Sequence, residues 1–448
     1  RECLVRFGDA SPSGVFGVYR LWMTQKNIDI WTTREKLSNE ELDATFVYGN
    51  FRAVYNAGGR YRGSPWIRPG YSSPTGNASS YVWTTPKDDK LLGADEFNLD
   101  SLEPGRDDTF QREKAAFWIA EQLGVPFSYQ RYVHVYVNGV KRGNIYTDSQ
   151  QPNSDYVRSW FPNDERGELF KTDDWLEFND SVAKEFNVDA TLQNFTTTGG
   201  VKKKARYRWN WEKKSNRGLD DDYTRLFELV DAVNTPGTDA YTAAVEAVAD
   251  VEEWMRVFAV RHVTGDWDGY GYRRGKNQFA YKGAGGRWKF LLWDLDFSLG
   301  SGGGDSPEYN LFEVNDPVLQ RMYQHPPFRR VYLRALYDAV NGPLLSTRSG
   351  PMLDAIHAAL INNGIGAAAP GPVKTWIEQR RNYILQELNK VAADFEFTIN
   401  GGNNFSTTEN FVTLTGTAPV QVKTIRINGV AYPATWTSVT NWSIQYAL

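Results

Sequence analysis

Gly265-Asp266-Trp267-Asp268-Gly269-Tyr270-Gly271-Tyr272-Arg273-Arg274-Gly275-Lys276-Asn277 is the stretch whose reading decides the fold. Ahead of it, an apolar-periodic segment from about Asp250 to Val263 predicts a helix, with Asp250 and Glu253 at the spacing of a capping box. Behind it, Gln278–Lys282 and Arg287–Asp294 predict two strands joined by Gly283-Ala284-Gly285-Gly286. The second strand runs out through Trp293-Asp294-Leu295-Asp296-Phe297-Ser298-Leu299-Gly300. A hairpin this short returns the chain to its start, so the two acid-bearing loops should be neighbours facing one cleft.

A carboxylate loop, an Asn nine residues after Asp268, a hairpin and a second acidic loop follow one another here. Protein kinases order their parts this way for a physical reason. Phosphoryl transfer needs one carboxylate to orient or deprotonate the acceptor, and a carboxylate with an Asn amide to hold Mg²⁺ against the triphosphate. Hard oxygen ligands suit that ion. On spacing alone two other readings stand. Asp266 and Asp268 could cap turns while Asp294 and Asp296 end a strand. Asp266-x-Asp268-Gly269 also opens like a Ca²⁺ loop, although the twelfth residue of that frame is Asn277 and not a bidentate Glu.

Working outward, the first 150 residues read as β-rich, with alternation at Ala44–Tyr48 and Arg52–Tyr55. Within them, Arg112–Leu123 predicts a helix stopped by Gly124 and Pro126, and Tyr132–Val137 with Asn138-Gly139 predicts a type I′ hairpin. Polar, Asp-rich sequence continues to about residue 200, and residues 220–394 read as mostly helical. Asp316-Pro317 marks one helix start and Val373 opens the last long helix. From Phe395 to Leu448 the chain alternates in short strands, which predicts a small all-β, Ig-like sandwich module, possibly truncated. The fold class is therefore α+β. Residues 1–394 are expected as one unit, with 395–448 as a lightly attached module.

Composition excludes several classes. The chain has 448 residues, 41% of them apolar, enough for sizeable cores. Its net charge of −4 argues against a general nucleic-acid binder. No apolar run is long enough to span a membrane. Cys3 is the single cysteine, so no intrachain disulfide or Cys-based zinc cluster is available, and none of the four histidines stands in an HExxH frame. The aromatic-, Gly- and Asn-rich, nearly Cys-free composition points to an exported, extracellular or cell-surface bacterial protein. Opening on Arg1, the chain reads as a processed product or an excised piece. Lys202-Lys203-Lys204 with Arg206 and Arg208 reads as a solvated basic face, and Ser301-Gly302-Gly303-Gly304-Asp305 lacks the Lys-Ser/Thr of a P-loop.

Further segments carry a family resemblance: Arg60-Tyr61-Arg62-Gly63-Ser64, Pro86-Lys87-Asp88-Asp89-Lys90-Leu91-Leu92-Gly93, Asn98-Leu99-Asp100, Arg112-Glu113-Lys114, Leu123-Gly124-Val125-Pro126, Val135–Gly139 with Gly143, and Leu169-Phe170-Lys171. With the Asp268 loop and Trp293-Asp294-Leu295-Asp296, these resemble the CotH family of spore-coat-protein-H-like atypical protein kinases over roughly residues 45–340. The resemblance implies an atypical protein-kinase-like core, ATP with Mg²⁺ or Mn²⁺, and protein Ser/Thr phosphorylation. It implies Asp268 as the catalytic carboxylate, and Asn277 and Asp294 as metal ligands with Asp296 as a second candidate. Glu113 would tether a phosphate-binding cation, and Arg62, Arg68 or Lys171 would supply it. Two departures stand out: no Lys precedes the strand at Ser80–Thr84, and the Asp-to-Asn interval is longer than usual.

Two functional expectations result. One is an exported kinase taking ATP and a protein acceptor. The other is a catalytically weak pseudokinase, a surface or matrix scaffold whose β-module binds partners.

Overall fold

The computed structural model describes residues 12–50, 52–102, 106–178, 184–214 and 220–448, with the side chains of 175–178 and 184–187 left aside. Its contacts divide the chain into two compact units. One comprises the residues up to Lys114 with 128–159 and 352–370, and the other comprises 115–127, 160–351 and 371–448. The boundary expected at residue 394 is not where this division falls, because the C-terminal strands cluster with the helices before them.

The first unit is built on β1 (Gly17–Trp22), α1 (Gln25–Thr33), β2 (Leu42–Tyr48), β3 (Arg52–Tyr61), β4 (Tyr81–Thr84), β5 (Glu96–Ser101), the start of α2 (Arg112–Gln122), β6 (Gln130–Val137), β7 (Val140–Ser149) and α3 (Ser154–Trp160). The strands close into a barrel in the order β1-β2-β3-β4-β5-β7-β6. Closure comes from a parallel pairing, Gly17 opposite Val133 through Leu21 opposite Val137. Alternate residues point inward and fill the barrel with rings. Phe46 alone meets Tyr19, Trp83 and Phe97 edge-on at 5.1, 5.2 and 5.1 Å. This is a packed core, not a lumen. The hairpin at Asn138-Gly139 forms as expected, with φ of 45° and 80° in the left-handed region that a type I′ turn requires. Helix α1 was not foreseen: Thr24 caps it by accepting from Asn27 N–H, but it buries only Ile28 and Trp31, too sparse a stripe to read.

The second unit contains β8 (Glu168–Thr172), β9 (Trp175–Phe178), β10 (Lys184–Val188), α4 (Lys204–Arg208), β11 (Trp211–Lys213), α5 (Thr224–Val233), α6 (Thr238–Val248), α7 (Val251–Thr264), β12 (Gln278–Lys282), β13 (Trp288–Leu292), α8 (Pro317–Gln324), α9 (Pro326–Val340), the start of α10 (Ser346–Asn362) and α11 (Gly371–Asn389). The strands β11-β8-β12-β13 form one antiparallel sheet. Helix α7 is buried almost throughout and packs on β13 and α9, with Trp254 tilted over Phe290 at 4.2 Å. Its cap is half of the expected box. Asp250 accepts from Glu253 N–H at 3.3 Å, but Glu253 Oε2 accepts instead from Phe290 N–H of β13 at 3.0 Å. The N-cap thus fixes the helix, and the N3 residue ties it to the sheet. No helix among the described residues is long and apolar enough to cross a membrane.

The chain ends in β14 (Glu396–Phe397), β15 (Phe411–Thr417), β16 (Ile425–Ile427), β17 (Val430–Tyr432), β18 (Thr435–Trp436) and β19 (Asn441–Ala447). The all-β character of this module is as expected. Its strands make a four-stranded sheet, β14-β15-β19-β18, and a separate two-stranded ribbon, fewer than the seven of an immunoglobulin sandwich. The expectation of light packing is corrected by Arg330 of α9. Its guanidinium donates to the carbonyls of Ala418 at 3.2 Å and Val422 at 2.8 Å and also to those of Val439 and Pro419, and it lies 3.5 Å from the Trp436 ring centroid.

Arg330→Leu should therefore loosen the module. Four carbonyls lose a donor, and since part of that demand can be met by water, the loss should be about 2–4 kcal/mol. Limited proteolysis after residue 394 and thermal unfolding will read it. Unchanged cleavage and melting in the variant would show that the module does not depend on this anchor.

Candidate functional site

The site grows out of the C-terminus of α7. Gly265 ends the helix at φ 72°, a left-handed position, and a Cβ there would stand 2.8 Å from Trp376, so both conformation and space demand glycine. The chain then enters the Asp268 loop, with Asp266 N–H bonded back to Arg261 at 2.9 Å. Arg261 and Asp266 are both 0% exposed and form a buried ion pair. The other terminal nitrogen of Arg261 donates to the carbonyl of Asn277, to that of Trp293 at 3.2 Å, and to Gln278 Oε1 at 3.4 Å. One guanidinium therefore holds the start of the Asp268 loop, the entry to β12 and the exit of β13. Gly269 leaves room for it: a Cβ would fall 2.0 Å from Nη1. From the other side, Leu299 N–H donates to the Thr264 carbonyl at 2.7 Å. The two acidic loops meet as the short hairpin requires.

Asn277 and Asp294 both adopt positive φ, 55° and 56°, which places non-glycine residues in a sparsely populated region at the ends of the hairpin. Asn277 Nδ2 donates to the Asp268 carbonyl at 2.7 Å and to its Oδ2 at 3.2 Å. Lys276 Nζ lies 3.2 Å from the same Oδ2 and 3.8 Å from Asp174. Burial raises the Asp268 pKa; Lys276 opposes this and the charge of Asp294 adds to it. Burial also lifts Asp266, to about 7, with Arg261 opposing and Asp268 and Asp294 adding. Lys276 loses by burial but is held above the usual lysine range by Asp268 and Asp174. Mutual repulsion among Asp266, Asp268 and Asp294 shows that the three carboxylates share one neighbourhood.

Lys171 belongs to it too. It stands on β8 opposite Phe279 of β12 and Glu212 of β11. It is ion-paired with Asp173 and feels the charge of Asp294. Asp296 is half-buried two residues beyond Asp294, and its carbonyl accepts from Ser301 Oγ at 2.8 Å. Arg62 and Glu113 belong to the first compact unit, where Arg62 pairs with Asp100 and Glu113 accepts from Gln130 Nε2 at 2.8 Å. Arg68 is absorbed structurally, donating to Lys36 O and Asn39 Oδ1, each at 2.8 Å, and to Ser38 O. The Lys202–Arg208 patch is likewise engaged, with Lys202 on Asp231 and Lys204 on Asp221.

Sequence reading missed Arg261, Asp266 in its paired role, and Lys276. Lys276 adjoins Asn277 and was legible as a neighbour. Arg261 lies inside a helix, where nothing distinguishes a buried arginine from an exposed one. Among the described residues no three His, Cys, Asp or Glu side chains converge as a ready metal cluster. A Mg²⁺ that retains waters and takes phosphate oxygens needs only one or two protein carboxylates. Here the donors are hard oxygens, the acids repel one another, and Asp266 Oδ1 is buried without a hydrogen-bond partner. That excess of negative charge fits a divalent cation.

Residues 73–367 match the family described as CotH kinase protein. No curated protein matches the chain. The chain is also similar to two solved structures. One is the Helicobacter pylori proinflammatory kinase CtkA, at 11% identity and TM-score 0.28, covering 71% of this chain and 93% of that one. The other is the Shewanella oneidensis MR-1 toxin–antitoxin complex of HipA, HipB and operator DNA, at 13% identity and TM-score 0.31, covering 82% and 70%. Scores this low carry no structural argument.

A pH dependence follows from Asp266. Its native carboxyl holds a proton up to about pH 7, while the unfolded one releases it near about 3.9. Between those values the native state binds more protons, so this group's contribution to stability falls as pH rises and the loss is complete above the native pKa. Millimolar Mg²⁺ or Mn²⁺ should offset the crowding, raising the melting temperature more near about pH 8 than near about pH 5. Equal gains at both would show that the carboxylates do not share a cation.

Proposed function

The chain belongs to the CotH kinase protein family, and we propose that it is a metal-dependent phosphotransferase that passes the γ-phosphoryl group of ATP to a protein Ser/Thr hydroxyl, acting outside the cell as its composition suggests. The observation that carries this reading is the Arg261 junction, which brings the Asp268 loop, Asn277 and the residue before Asp294 onto one cation.

Asp268 would orient the acceptor hydroxyl and take its proton as the oxygen bonds to the γ-phosphorus and the bond to the β-phosphate bridging oxygen breaks, releasing ADP. Burial raises its basicity while Lys276 keeps it ionised, a compromise that general-base catalysis near neutral pH favours. Asn277 and Asp294 would hold Mg²⁺ or Mn²⁺, which when bound neutralises and orients the phosphates. Asp294 is the better of the two WDxD carboxylates because its charge acts on Asp266, Asp268 and Lys171. Lys171 is the proposed phosphate cation of this unit.

One observation favours the second reading, a pseudokinase scaffold. Lys171 is already paired with Asp173, and Arg62 with Asp100, so phosphate must compete with a carboxylate for either cation.

Calorimetry with ATP and each metal, beside a labelled-phosphate assay, separates the readings. Asp268→Asn should leave metal–nucleotide binding near normal while transfer drops on the order of 10²–10⁴-fold. Asp294→Asn should abolish metal-dependent nucleotide binding, and Asp296→Asn should keep most of it. Wild-type binding without any transfer would decide for the scaffold, and no metal-dependent binding at all would sink both site assignments.

A further inference from the structure

Arg273 lies between Asp268 and Asn277, and the reaction above leaves it unused. Its guanidinium holds two carboxylates from the segment that follows Asp296. Nη1 stands 3.0 Å from Asp305 Oδ1, Nε donates to Glu313 Oε1 at 3.0 Å, and Nη2 donates to Glu313 Oε2 at 3.3 Å. The cation also lies 4.0 Å from the Tyr309 ring centroid and 5.2 Å from that of Tyr272. Around it the backbone is tied in both directions. Tyr272 Oη donates to Asp305 Oδ2, Asn315 Nδ2 donates to the Arg273 carbonyl at 2.8 Å, and Trp267 Nε1 donates to the Gly303 carbonyl at 2.7 Å. Residues 303–315 are thus fastened to the loop that bears Asp268 at positions 267, 272 and 273.

A single exposed ion pair would contribute little. This one differs in kind. It pairs a bidentate fork on Glu313 with a second carboxylate, Asp305, which is 9% exposed on its side chain and is itself hydrogen-bonded to Tyr272. Networks of this geometry fix position as well as adding energy. Where a segment beside a phosphoryl-transfer site has no such carboxylates, an added phosphate can order it by pairing with arginine. Here the carboxylates are encoded.

We infer that Arg273 is a positioning residue: with Asp305 and Glu313 it clamps the segment after Asp296 onto the Asp268 loop, so that the two acidic loops are held in register without phosphorylation. The inference rests on the transferase reading for its effect on rate, but the clamp itself can be judged apart from it.

The full chain with Arg273→Met should lose about 10–100-fold in kcat while its Kd for ATP with Mg²⁺ stays within about twofold, because register and not ligation is disturbed. Treatment of the wild type with a broad-specificity phosphatase should leave its rate intact. Wild-type kcat in Arg273→Met, a parallel loss of nucleotide affinity, or a fall in rate after the phosphatase would each overturn the proposal. Should that variant fail to fold, Glu313→Gln, which keeps the Asp305 contact, should show a smaller loss of the same kind, and an unchanged rate would count equally against the clamp. If the wild type transfers no phosphoryl group, the transferase reading fails on its own. Amide exchange then judges the clamp: faster exchange over residues 303–315 in the variant upholds it, and equal exchange overturns it.

Discussion

A guanidinium with no exposed surface, that of Arg261, is the constraint on which the candidate site depends. An arginine out of water must find acceptors for its donors, and these come from places far apart in the chain: the Asp266 carboxylate, the carbonyls of Asn277 and Trp293, and the amide of Gln278. Breaking a buried pair by removing one partner typically costs about 3–5 kcal/mol, because the other charge is left uncompensated. Lysine could not replace it, since a point charge cannot serve three chain segments from one planar fork. The loops therefore have no freedom to drift apart while the helix α7 keeps its place on β13, and that place is set in turn by Glu253 reaching Phe290 N–H.

Electrostatics around this junction run close to balance by design of the chain itself. Each cation near the carboxylates already has a partner: Lys276 has Asp268, Lys171 has Asp173, and Arg274 has Asp174 and Asp189. What stays unbalanced is the group Asp266, Asp268 and Asp294, whose charges raise the Asp266 pKa against the pull of Arg261. Bringing a triphosphate to such a place without a cation would add repulsion to repulsion. A divalent ion would reverse the sign of the local field, so ion and nucleotide should bind in a coupled manner.

Legibility in the sequence followed the range of the interactions. Local signals were readable: Asp250 at the start of α7, Gly265 at its end, the glycine turn of the β12–β13 hairpin, and Asn138-Gly139. Because Asp268, Asn277 and Asp294 are tied to that one hairpin, their meeting was readable too. Non-local events were not. The barrel closes through a parallel β1–β6 pairing more than a hundred residues apart in sequence. Helix α10 runs through Gly350-Pro351, residues that read as a stop, and Arg330 draws the last strands onto α9 through carbonyls that have no sequence signature. Arg62 and Glu113 were grouped with the site by resemblance alone; each is found in the first compact unit with its own partner there.

The long interval between Asp268 and Asn277 shows how such a departure can be structural economy and not decay. Extra residues in a loop raise its closure entropy only slowly, by roughly 0.6 kcal/mol per doubling of length. Within this interval stand three cations, each aimed at a different anchor. Arg273 takes Asp305 and Glu313, Arg274 takes Asp174 and Asp189, and Lys276 takes Asp268 itself. The loop is thereby held to the segment after β13, to residues on either side of β9 and β10, and to its own carboxylate. A shorter loop could carry fewer such ties, and the left-handed backbone at Asn277 would have less around it to hold it in place. Length here purchases rigidity, because the added residues are those that bind the loop down.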